Sequence, residues 1–554
     1  MHLAPRLLAL VLPGRTDSSA RSRDRRAGRP RPSASVVPQS QGVGEASALR
    51  VYLAAVLAGA VNASAWLVPG TGFSAVLGWI AALLLVYTVR ARRAYLPAFA
   101  AGIVGHLIGF YWVAGTVSVF GGFGPLASAL IFTLFVALGA LLFLVFALVH
   151  HQLPAAFDAL ALRSATAVVM AELLTIRLFP WHFGHTQLAF TPFVQIAGIG
   201  GAMAVSFLMF WLAEVSVRIV VFRERRRTFL VPVLLFVLAI GYGVAMMRTF
   251  TAPQGLPQEV VVVQGNASLA EKRDMDSARK NLARIYELTR QVAHPGSLVV
   301  WPEGSVPAYI SAGIGRVGRP PVLPWIGDDT ALLVGAYSFL PDRRRYNAAF
   351  AVYPDGTIPW PYFKRILIPF GESMPLASYF PWLKGLNAKA GVFSAGTESQ
   401  VFFYPLRRPD GTASTLKVSP LICYEDTVPA LAREATRKGA ELLVNITSDS
   451  WFGRTLAPHQ HHLIAAFRAI ENRRFLIRAT NTGLSGVVDP LGRTIVSIPP
   501  FVEGTATAQV TPLTYRSAYT HGIGDRPWWA LLLVGFVATV HAKKGRPRVQ
   551  LTRG

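Results

Sequence analysis

Seven long apolar segments fill the first half of the chain and set the strongest limit on its fold. They lie near 51–68, 73–90, 96–116, 125–149, 164–180, 193–217 and 229–248. Each approaches the ~20 apolar residues that a helix needs to cross a ~30 Å hydrocarbon layer. With 52% hydrophobic and only 15% charged residues, the chain is too apolar for an ordinary soluble enzyme. The sequence therefore predicts a multi-span α-helical membrane domain.

The amino-acid composition of the chain changes after about residue 250, and we divide the chain into predicted domains on this basis. Residues 1–49 are rich in Arg, Ser, Pro and Gly, a composition typical of disorder. Residues 50–249 form the predicted membrane domain with seven transmembrane helices. Residues 250–525 mix charges, Pro, Gly and short β-branched runs, and they form a second domain. The apolar stretch within 526–542 is a predicted eighth helix, and residues 543–554 are a basic tail.

Basic residues predict how the spans are oriented, because loops rich in Lys and Arg stay in the cytoplasm. With eight spans, "RARR" (90–93), "RIVVFRERRR" (218–227) and "AKKGRPR" (542–548) fall on one side. The loops on the other side, "VPGTGF" (68–73) and "GGFG" (121–124), carry no charge. We therefore expect both termini in the cytoplasm and residues 250–525 outside it. This topology accounts for the net charge of +25, so no nucleic-acid partner is expected.

The second domain alternates short apolar runs with helical patterns. Helices are predicted at 268–293, 427–439 and 457–473, where apolar residues recur every three to four positions. Strands are predicted at 259–265, 297–304, 331–338, 347–354, 416–425, 441–448, 474–482 and 485–497. Strands made almost wholly of Val, Ile and Leu indicate sheets buried on both faces. The pattern predicts an α/β unit with layered αββα order.

"KVSPLICYED" (417–426) contains Cys423, the only cysteine of the chain. A single cysteine excludes intramolecular disulfides and Cys-rich metal sites. Cys423 ends an apolar strand, so its sulfur could project from a turn as a nucleophile. Free cysteine is also among the most buried residue types, behaving as a small hydrophobe. Position alone leaves both interpretations open.

A catalytic thiol needs a base or a cation nearby, because its ordinary pKa of about 8.5 leaves little thiolate at neutral pH. Glu303 directly follows a buried strand, while Lys364 and Glu372 lie in a Pro-rich loop. Each of them alone could equally be a solvated charge. The histidines of "PHQHH" (458–462) do not share one helical face, so they predict a surface or capping role and no metal site.

Three short motifs occur together at wide spacing. "WPE" is followed about 60 residues later by "FKR…PFGE", and "LICYE" comes about 60 residues after that. This combination resembles the Glu, Lys and Cys triad of the nitrilase (carbon–nitrogen hydrolase) superfamily. With membrane spans on both sides, the chain resembles the apolipoprotein N-acyltransferase family over roughly residues 50–541. Further matching motifs are "VVVQGN", "YNAAF", "NITSDSWFG", "FPWHFGHTQ" and "GIGDRP".

The resemblance implies a role for each candidate residue. Cys423 would be the nucleophile, Glu303 the general base, and Lys364 the cation that stabilises the thiolate and the oxyanion. Glu372 would orient these three residues. Tyr424 and Glu425 would line the site.

The resemblance also implies the reaction and its place in the cell. Cys423 would take an acyl chain from a membrane phospholipid as a thioester, without a cofactor. The amine of a diacylglyceryl-cysteine on an apolipoprotein would then take the chain from the enzyme. The protein would act as a monomer in the bacterial cytoplasmic membrane, with its catalytic domain on the extracytoplasmic side.

Two positions depart from the family pattern. Lys272 and Arg273 lie in "ASLAEKRDM", where the family often has Trp, and Ile366 stands where a His is frequent after "KR". Two other functions stay open at this stage. One is a membrane-tethered amidase or nitrilase acting on a small amide, and the other is a receptor or transporter whose outer domain only binds a ligand.

Overall fold

The computed structural model describes residues 48–251, 255–318, 323–327, 329–368, 372–373, 379–380, 393–407 and 412–544. Of the predicted disordered residues 1–49, residues 1–47 lie outside the described residues, whereas Ala48 and Leu49 begin a helix; most of the basic tail also lies outside the described residues. The helices of the membrane part are α1 (Ala48–Leu67), α2 (Gly72–Val89), α3 (Tyr95–Gly109), α4 (Trp112–Gly121), α5 (Pro125–Gln152), α6 (Ala155–Ala159), α7 (Arg163–Leu174), α8 (Thr191–Val194), α9 (Ala197–Val220) and α10 (Leu230–Phe250).

Five helices in the described part of the chain are long and apolar enough to cross a membrane. A sixth span results if α3 and α4, which meet at an angle of 62°, are counted as one. The last helix, α15 (Arg526–Lys544), lies outside this group of five. The chain is thus a multi-pass membrane protein, and the count of eight spans stays a prediction.

The predicted span at 164–180 is not one continuous helix. Helix α7 has 12 residues, or about 18 Å of rise, which is shorter than a hydrocarbon layer. The helix ends because Thr175 takes an extended backbone conformation. The Arg177 guanidinium then donates to the carbonyl oxygen of Glu172, which the interrupted helix leaves unpaired, and to that of Trp181 in the following loop.

A cluster of ion pairs joins helix ends on the side of the bundle away from the second domain. Arg90 at the end of α2 pairs with Glu214 of α9. Arg218 lies 3.4 Å from Asp158 and 2.5 Å from Glu224. Because these residues come from four separate segments, the cluster fixes the loops near 90, 158 and 224 at one end of the bundle.

The described residues of the second domain form two sheets and four flanking α-helices. The strands are β1 (Gln258–Gln264), β2 (Leu298–Val300), β3 (Val306–Ser311), β4 (Ala331–Phe339), β5 (Arg345–Val352), β6 (Tyr362–Phe363), β7 (Phe402–Arg407), β8 (Ala413–Ile422), β9 (Leu442–Thr447), β10 (Phe475–Thr480), β11 (Ser485–Val488), β12 (Thr494–Ile498) and β13 (Gly504–Val510). The helices are α11 (Leu269–Arg273), α12 (Met275–Val292), α13 (Pro429–Arg437) and α14 (Ala457–Asn472).

The two sheets stack face to face. One has the order β13-β1-β2-β4-β5-β6 with β3 beside β4, and the other has the order β12-β11-β10-β9-β8-β7. Their apolar inner faces share one core, to which Val260 and Val300 contribute from the first sheet and Val418 and Val444 from the second. Separate apolar clusters cover the two outer faces beneath the helices. This is the predicted αββα order.

Helix α14 joins the second domain to the membrane part. All of its residues except His459 are buried. The apolar side chains on one side of the helix belong to the same core as the membrane helices, and they are Ala457, Leu463, Ile464, Phe467 and Ile470. The Gln460 amide donates to the carbonyl oxygens of Trp66 (2.8 Å) and Gly109 (2.9 Å). It also accepts from the Trp112 indole at 2.9 Å. The two domains therefore share a packed and hydrogen-bonded interface.

Candidate active site

Cys423 stands at a sharp turn directly after strand β8. Its φ of +54° is a left-handed conformation that non-glycine residues rarely adopt, and such strain concentrates at functional sites. The Asn445 side chain donates to the Cys423 carbonyl oxygen at 3.0 Å, which holds the turn in place. The thiol is 5% exposed and borders a cavity with a volume of about 210 Å³. This placement favours the nucleophile over the buried structural cysteine.

The three residues of the predicted triad line this same cavity. Glu303 arrives from the loop after β2 and Lys364 from the residue after β6. The Lys364 ammonium lies 3.4 Å from Glu303 Oε1 and 2.7 Å from Glu372 Oε2. Although the three motifs are about 60 residues apart in sequence, the fold brings Glu303, Lys364, Glu372 and Cys423 together.

Asn347 belongs to this cluster but was not among the predicted site residues. Its amide donates to Glu303 Oε1 at 2.6 Å and to Glu372 Oε1 at 3.0 Å. It therefore holds the two carboxylates at a fixed separation around Lys364. The motif "YNAAF" contained the only signal for it, since an Asn in an otherwise apolar strand needs buried partners.

The electrostatics of the cavity keep the thiol protonated at rest. Burial raises the pKa of Cys423 well above its ordinary value, and the Glu303 charge raises it further against the opposing effect of Lys364. Burial lowers the pKa of Lys364, but Glu372 and Glu303 outweigh it and hold that pKa well above the ordinary value. A neutral thiol next to a carboxylate and a fixed ammonium needs the carboxylate as a base before it can attack.

Glu425 lies beside the cavity and does not line it. Its carboxylate is fully buried and accepts four hydrogen bonds. The donors are the backbone amides of Arg365 (2.6 Å), Ile366 (3.1 Å) and Ile422 (2.7 Å) and the hydroxyl of Tyr362 (2.8 Å). Two of these donors are the chain neighbours of Lys364 and Cys423, so Glu425 fixes the distance between the cation and the thiol. Glu425 is not among the described residues that line this cavity, and its predicted contact with the substrate stays a prediction.

Tyr424 is also not among the described residues that line the cavity, and its predicted place in the site stays a prediction. Its hydroxyl donates to the carbonyl oxygen of Leu178 at 2.6 Å, and its ring lies 6.2 Å from that of Phe179. Both contacts are in the loop that follows α7. The turn containing Cys423 is thereby attached to the membrane part.

A buried ion network supports the turn from behind. His461 Nε2 lies 2.8 Å from Asp426 and its Nδ1 lies 3.0 Å from Asp449. Burial lowers the pKa of His461, but the two carboxylates outweigh it and raise that pKa to about 9. Arg478 Nε donates to Asp426 at 3.1 Å. His461 and His462 are therefore buried, and the predicted surface role is wrong for them.

Two cations and several apolar groups complete the cavity wall. Lys272 and Arg273 reach it from helix α11, and the stacked rings of Tyr337 and Phe393 lie 5.3 Å apart. In the described ranges, no group of three His, Cys, Asp or Glu side chains is arranged to hold a metal ion. The cavity thus combines a thiol, two carboxylates and positive charge with apolar surface, groups that acyl transfer through a thiol requires.

Comparisons with known proteins agree with this architecture. The carbon–nitrogen hydrolase family model matches residues 261–519, and the model of the apolipoprotein N-acyltransferase N-terminal domain matches residues 58–215. Apolipoprotein N-acyltransferase of Geobacter metallireducens is 31% identical over 509 residues, which cover 87% of this chain and 93% of that protein. The protein of the same name from Pseudomonas syringae pv. tomato is 29% identical over 475 residues, which cover 78% and 87% respectively.

Among solved structures, Saccharomyces cerevisiae Nit3, a member of branch 10 of the nitrilase superfamily, aligns at 17% identity with a TM-score of 0.35. The alignment covers 54% of this chain and 97% of Nit3. The assignment rests on the sequence matches, which extend through both the membrane part and the second domain. On these matches, this chain belongs to the apolipoprotein N-acyltransferase family.

Proposed function

We propose that this protein transfers an acyl chain from a membrane phospholipid to the N-terminal amine of the diacylglyceryl-cysteine of apolipoproteins. The observation that carries the proposal is the cavity that Cys423, Glu303 and Lys364 share, in a domain packed against membrane helices. A thiol is the appropriate nucleophile, because a thioester is reactive towards amines. All the residues that we assign to the site belong to one chain, so a monomer suffices.

In the proposed first half-reaction, Cys423 Sγ attacks the carbonyl carbon of a phospholipid ester. The new C–S bond forms as the C–O bond to glycerol breaks. Glu303 takes the thiol proton and passes it to the leaving glycerol oxygen, which departs as a lysophospholipid. Lys364 stabilises the negative charge that develops on the carbonyl oxygen, since its own charge is held by Glu372.

In the second half-reaction, the amine of the apolipoprotein's N-terminal cysteine attacks the thioester carbonyl. The C–N bond forms, the C–S bond breaks, and Glu303 carries the amine proton to the departing Cys423 thiolate. The outcome depends on keeping water out, because water would release the chain as a fatty acid. The low exposure of Cys423 and the aromatic groups of the cavity wall support this requirement.

Neither of the other two functions is favoured. Hydrolysis of a small amide needs no membrane part, yet the similarity to apolipoprotein N-acyltransferases extends through residues 58–215. A receptor or transporter needs no reactive thiol in a strained turn beside a carboxylate and an ammonium. The family and the cavity therefore support an acyltransferase.

We also propose eight membrane crossings, with α7 plus its following loop as the fifth and α15 as the eighth. Two contacts for each of these two crossings support this count. Arg163, at the start of α7, lies 4.0 Å from Asp158 in the ion-pair cluster, whereas Leu178 contacts the catalytic turn. At the other end of the chain, Trp528 donates to Gly200 near the second domain, and Thr539 donates to Gln152 at the end of α5.

The orientation follows from this count and from the charges. Arg92, Arg93 and residues 223–227 lie in loops on the side of the ion-pair cluster. By the positive-inside rule, that side is cytoplasmic, and the catalytic domain is extracytoplasmic. Reporter fusions after residue 227 should report the cytoplasm, and fusions after residue 300 the opposite side. The reverse pattern would contradict the orientation without affecting the proposed reaction.

The test of the reaction is to incubate the full-length protein with phospholipid and no acceptor. Mass spectrometry should find one acyl group on Cys423, and hydroxylamine should remove it, because it cleaves thioesters. Adding a diacylated lipopeptide should then give a triacylated peptide. Cys423→Ala is the control without a thiol, and it should give neither product. Release of ammonia from simple amides without any triacylated peptide would overturn the proposal in favour of the amidase.

A further inference from the structure

The cavity wall carries two cations that the proposed chemistry does not use. Lys272 and Arg273 end helix α11 and line the same cavity as Cys423. Lys272 is half-buried and Arg273 is exposed. This pair departs from the family pattern, which often has Trp in the segment "ASLAEKRDM".

Neither cation is neutralised by a carboxylate in the described part of the chain. The Lys272 ammonium donates to the carbonyl oxygen of Glu303 and to the Ser448 hydroxyl, each at 3.1 Å, and both of these partners are neutral. An ammonium has three N–H donors, so one donor is left for a ligand. The nearby carboxylate of Glu271 is turned away, since it accepts from the backbone amide of Ser268 at the start of the helix.

The charge of the cavity as a whole favours an anion. Its described lining contains three cations, Lys272, Arg273 and Lys364, against two carboxylates, Glu303 and Glu372. Both carboxylates are bound to Lys364 and Asn347, and neither forms a direct ion pair with Lys272 or Arg273 in the described part of the chain. Burial lowers the pKa of Lys272 to about 8, and the charge of Glu303 opposes this effect. Lys272 therefore remains protonated at neutral pH and would gain from a bound anion.

We propose that Lys272 and Arg273 bind the phosphate of the phospholipid donor while its ester carbonyl lies at Cys423. This inference rests on the proposed function. In a glycerophospholipid the phosphate and the reacting ester are joined through one glycerol, so a ligand with its ester at Cys423 has its phosphate only a few bonds away. The diacylglyceryl-cysteine acceptor has no phosphate. The two cations consequently act in the first half-reaction and distinguish the donor from the acceptor.

The test compares a charged donor with a neutral one. Acylation of Cys423 in the full-length protein is measured with phosphatidylglycerol and with a p-nitrophenyl ester of the same acyl chain. In Lys272→Gln and in Arg273→Gln, the ratio of kcat/KM for phosphatidylglycerol to that for the neutral ester should fall about tenfold, the effect of losing one hydrogen bond to a charged group. Lys272→Arg and Arg273→Lys, which keep the charge, should recover most of the ratio.

A matched control and an inhibitor pair make the result specific. Arg279→Gln removes an exposed cation of the next helix, paired with Asp276, and should leave the ratio unchanged. A diether phosphatidylglycerol, which has no ester to cleave, should inhibit the wild type more strongly than a diether glycerol. In Lys272→Gln and Arg273→Gln, this preference should be lost. Inorganic phosphate tests the other source of the same chemistry, and it should compete far more weakly than the diether lipid.

Two outcomes would overturn the inference. One is an unchanged ratio in both glutamine variants, whether kcat/KM is unaffected or falls equally with the two donors. The other is competition by inorganic phosphate as strong as that by the diether lipid. Failure of the proposed function gives a different result. In that case, the wild-type protein would react with the p-nitrophenyl ester but would take no acyl chain from any phospholipid.

Discussion

Replacing Glu425 by glutamine should loosen the link between the candidate cation and the candidate nucleophile. Oε1 of the carboxylate accepts from the backbone amides of Arg365 and Ile366, next to Lys364. Its Oε2 accepts from the backbone amide of Ile422, next to Cys423, and from a tyrosine hydroxyl. Glutamine has the same shape but only one acceptor oxygen, so it cannot satisfy both pairs of donors.

The size of the effect follows from the two orientations that glutamine can adopt. If its NH₂ group faces Arg365 and Ile366, two buried backbone donors lose their acceptor. If it faces Ile422, one backbone donor loses its acceptor, since the Tyr362 hydroxyl can rotate to accept. The better orientation therefore costs about 1–3 kcal/mol for the unsatisfied donor, and the remaining bonds also lose their charge assistance. A displacement of about 1 Å between Lys364 and Cys423 would lower kcat by about 100-fold.

The assay measures both quantities on the same detergent-purified protein. Thermal unfolding should show a lower midpoint for Glu425→Gln, and single-turnover acylation of Cys423 should show the loss of rate. Glu434→Gln is the control, because Glu434 contacts Arg365 only through a partly exposed ion pair at 2.9 Å. Such pairs contribute at most about 1 kcal/mol. The reasoning would be refuted if Glu425→Gln acylated Cys423 at the wild-type rate. It would also be refuted if Glu425→Gln and Glu434→Gln changed the rate and the unfolding midpoint equally.

Three further predictions concern the surroundings of the site. His461 has a folded-state pKa of about 9, above its ordinary value, so its stabilising charge is complete below the ordinary pKa and is lost as pH rises through about 9. His461→Gln should remove this alkaline loss of stability and cost about 3 kcal/mol at neutral pH, as pH-dependent unfolding can measure. Gly335→Ala should abolish acylation, because its Cβ would lie 2.6 Å from the Cα of Glu303, whereas Gly313→Ala, which meets nothing within 4 Å, should not. Tyr424→Phe should lower stability by about 1 kcal/mol through the lost hydrogen bond to the membrane part while Cys423 still becomes acylated, as melting and mass spectrometry would show.

Much of the fold could be predicted from local patterns. The predicted strand at 259–265 is confirmed as β1, and the predicted helix at 457–473 as α14, because apolar periodicity reports directly on burial. Strand β13 was not predicted, since its sequence "GTATAQV" has little apolar content. It pairs with β1 along its full length, and that long-range pairing has no local signal. The interruption after α7 depends on hydrogen bonds from Arg177 that a hydropathy pattern does not contain.

The candidate site could be predicted only in part, for a similar reason. Glu303, Lys364 and Cys423 follow strands within recognisable motifs, so their residue types and positions were visible in the sequence. Apart from the bond between Glu425 and Ile422, the contacts of Asn347 and Glu425 arise between segments separated by 25 to 63 positions. Only the folded backbone decides which of those segments meet. A motif therefore indicated that Glu425 is near the site, but the hydrogen bonds define what it does there.

The burial of helix α14 has a practical consequence for anyone who wishes to work with a water-soluble catalytic fragment. In an αββα domain without a membrane part, the outward side of such a helix would be exposed to solvent. Here that side is apolar and packs on membrane helices, and Gln460 donates to Trp66 and Gly109 there. Excising the catalytic domain would expose this apolar surface to water and remove the hydrogen-bond partners of the Gln460 amide. Expression trials, domain swaps and inhibitor screens should therefore use a protein in which the membrane part and the catalytic domain remain together.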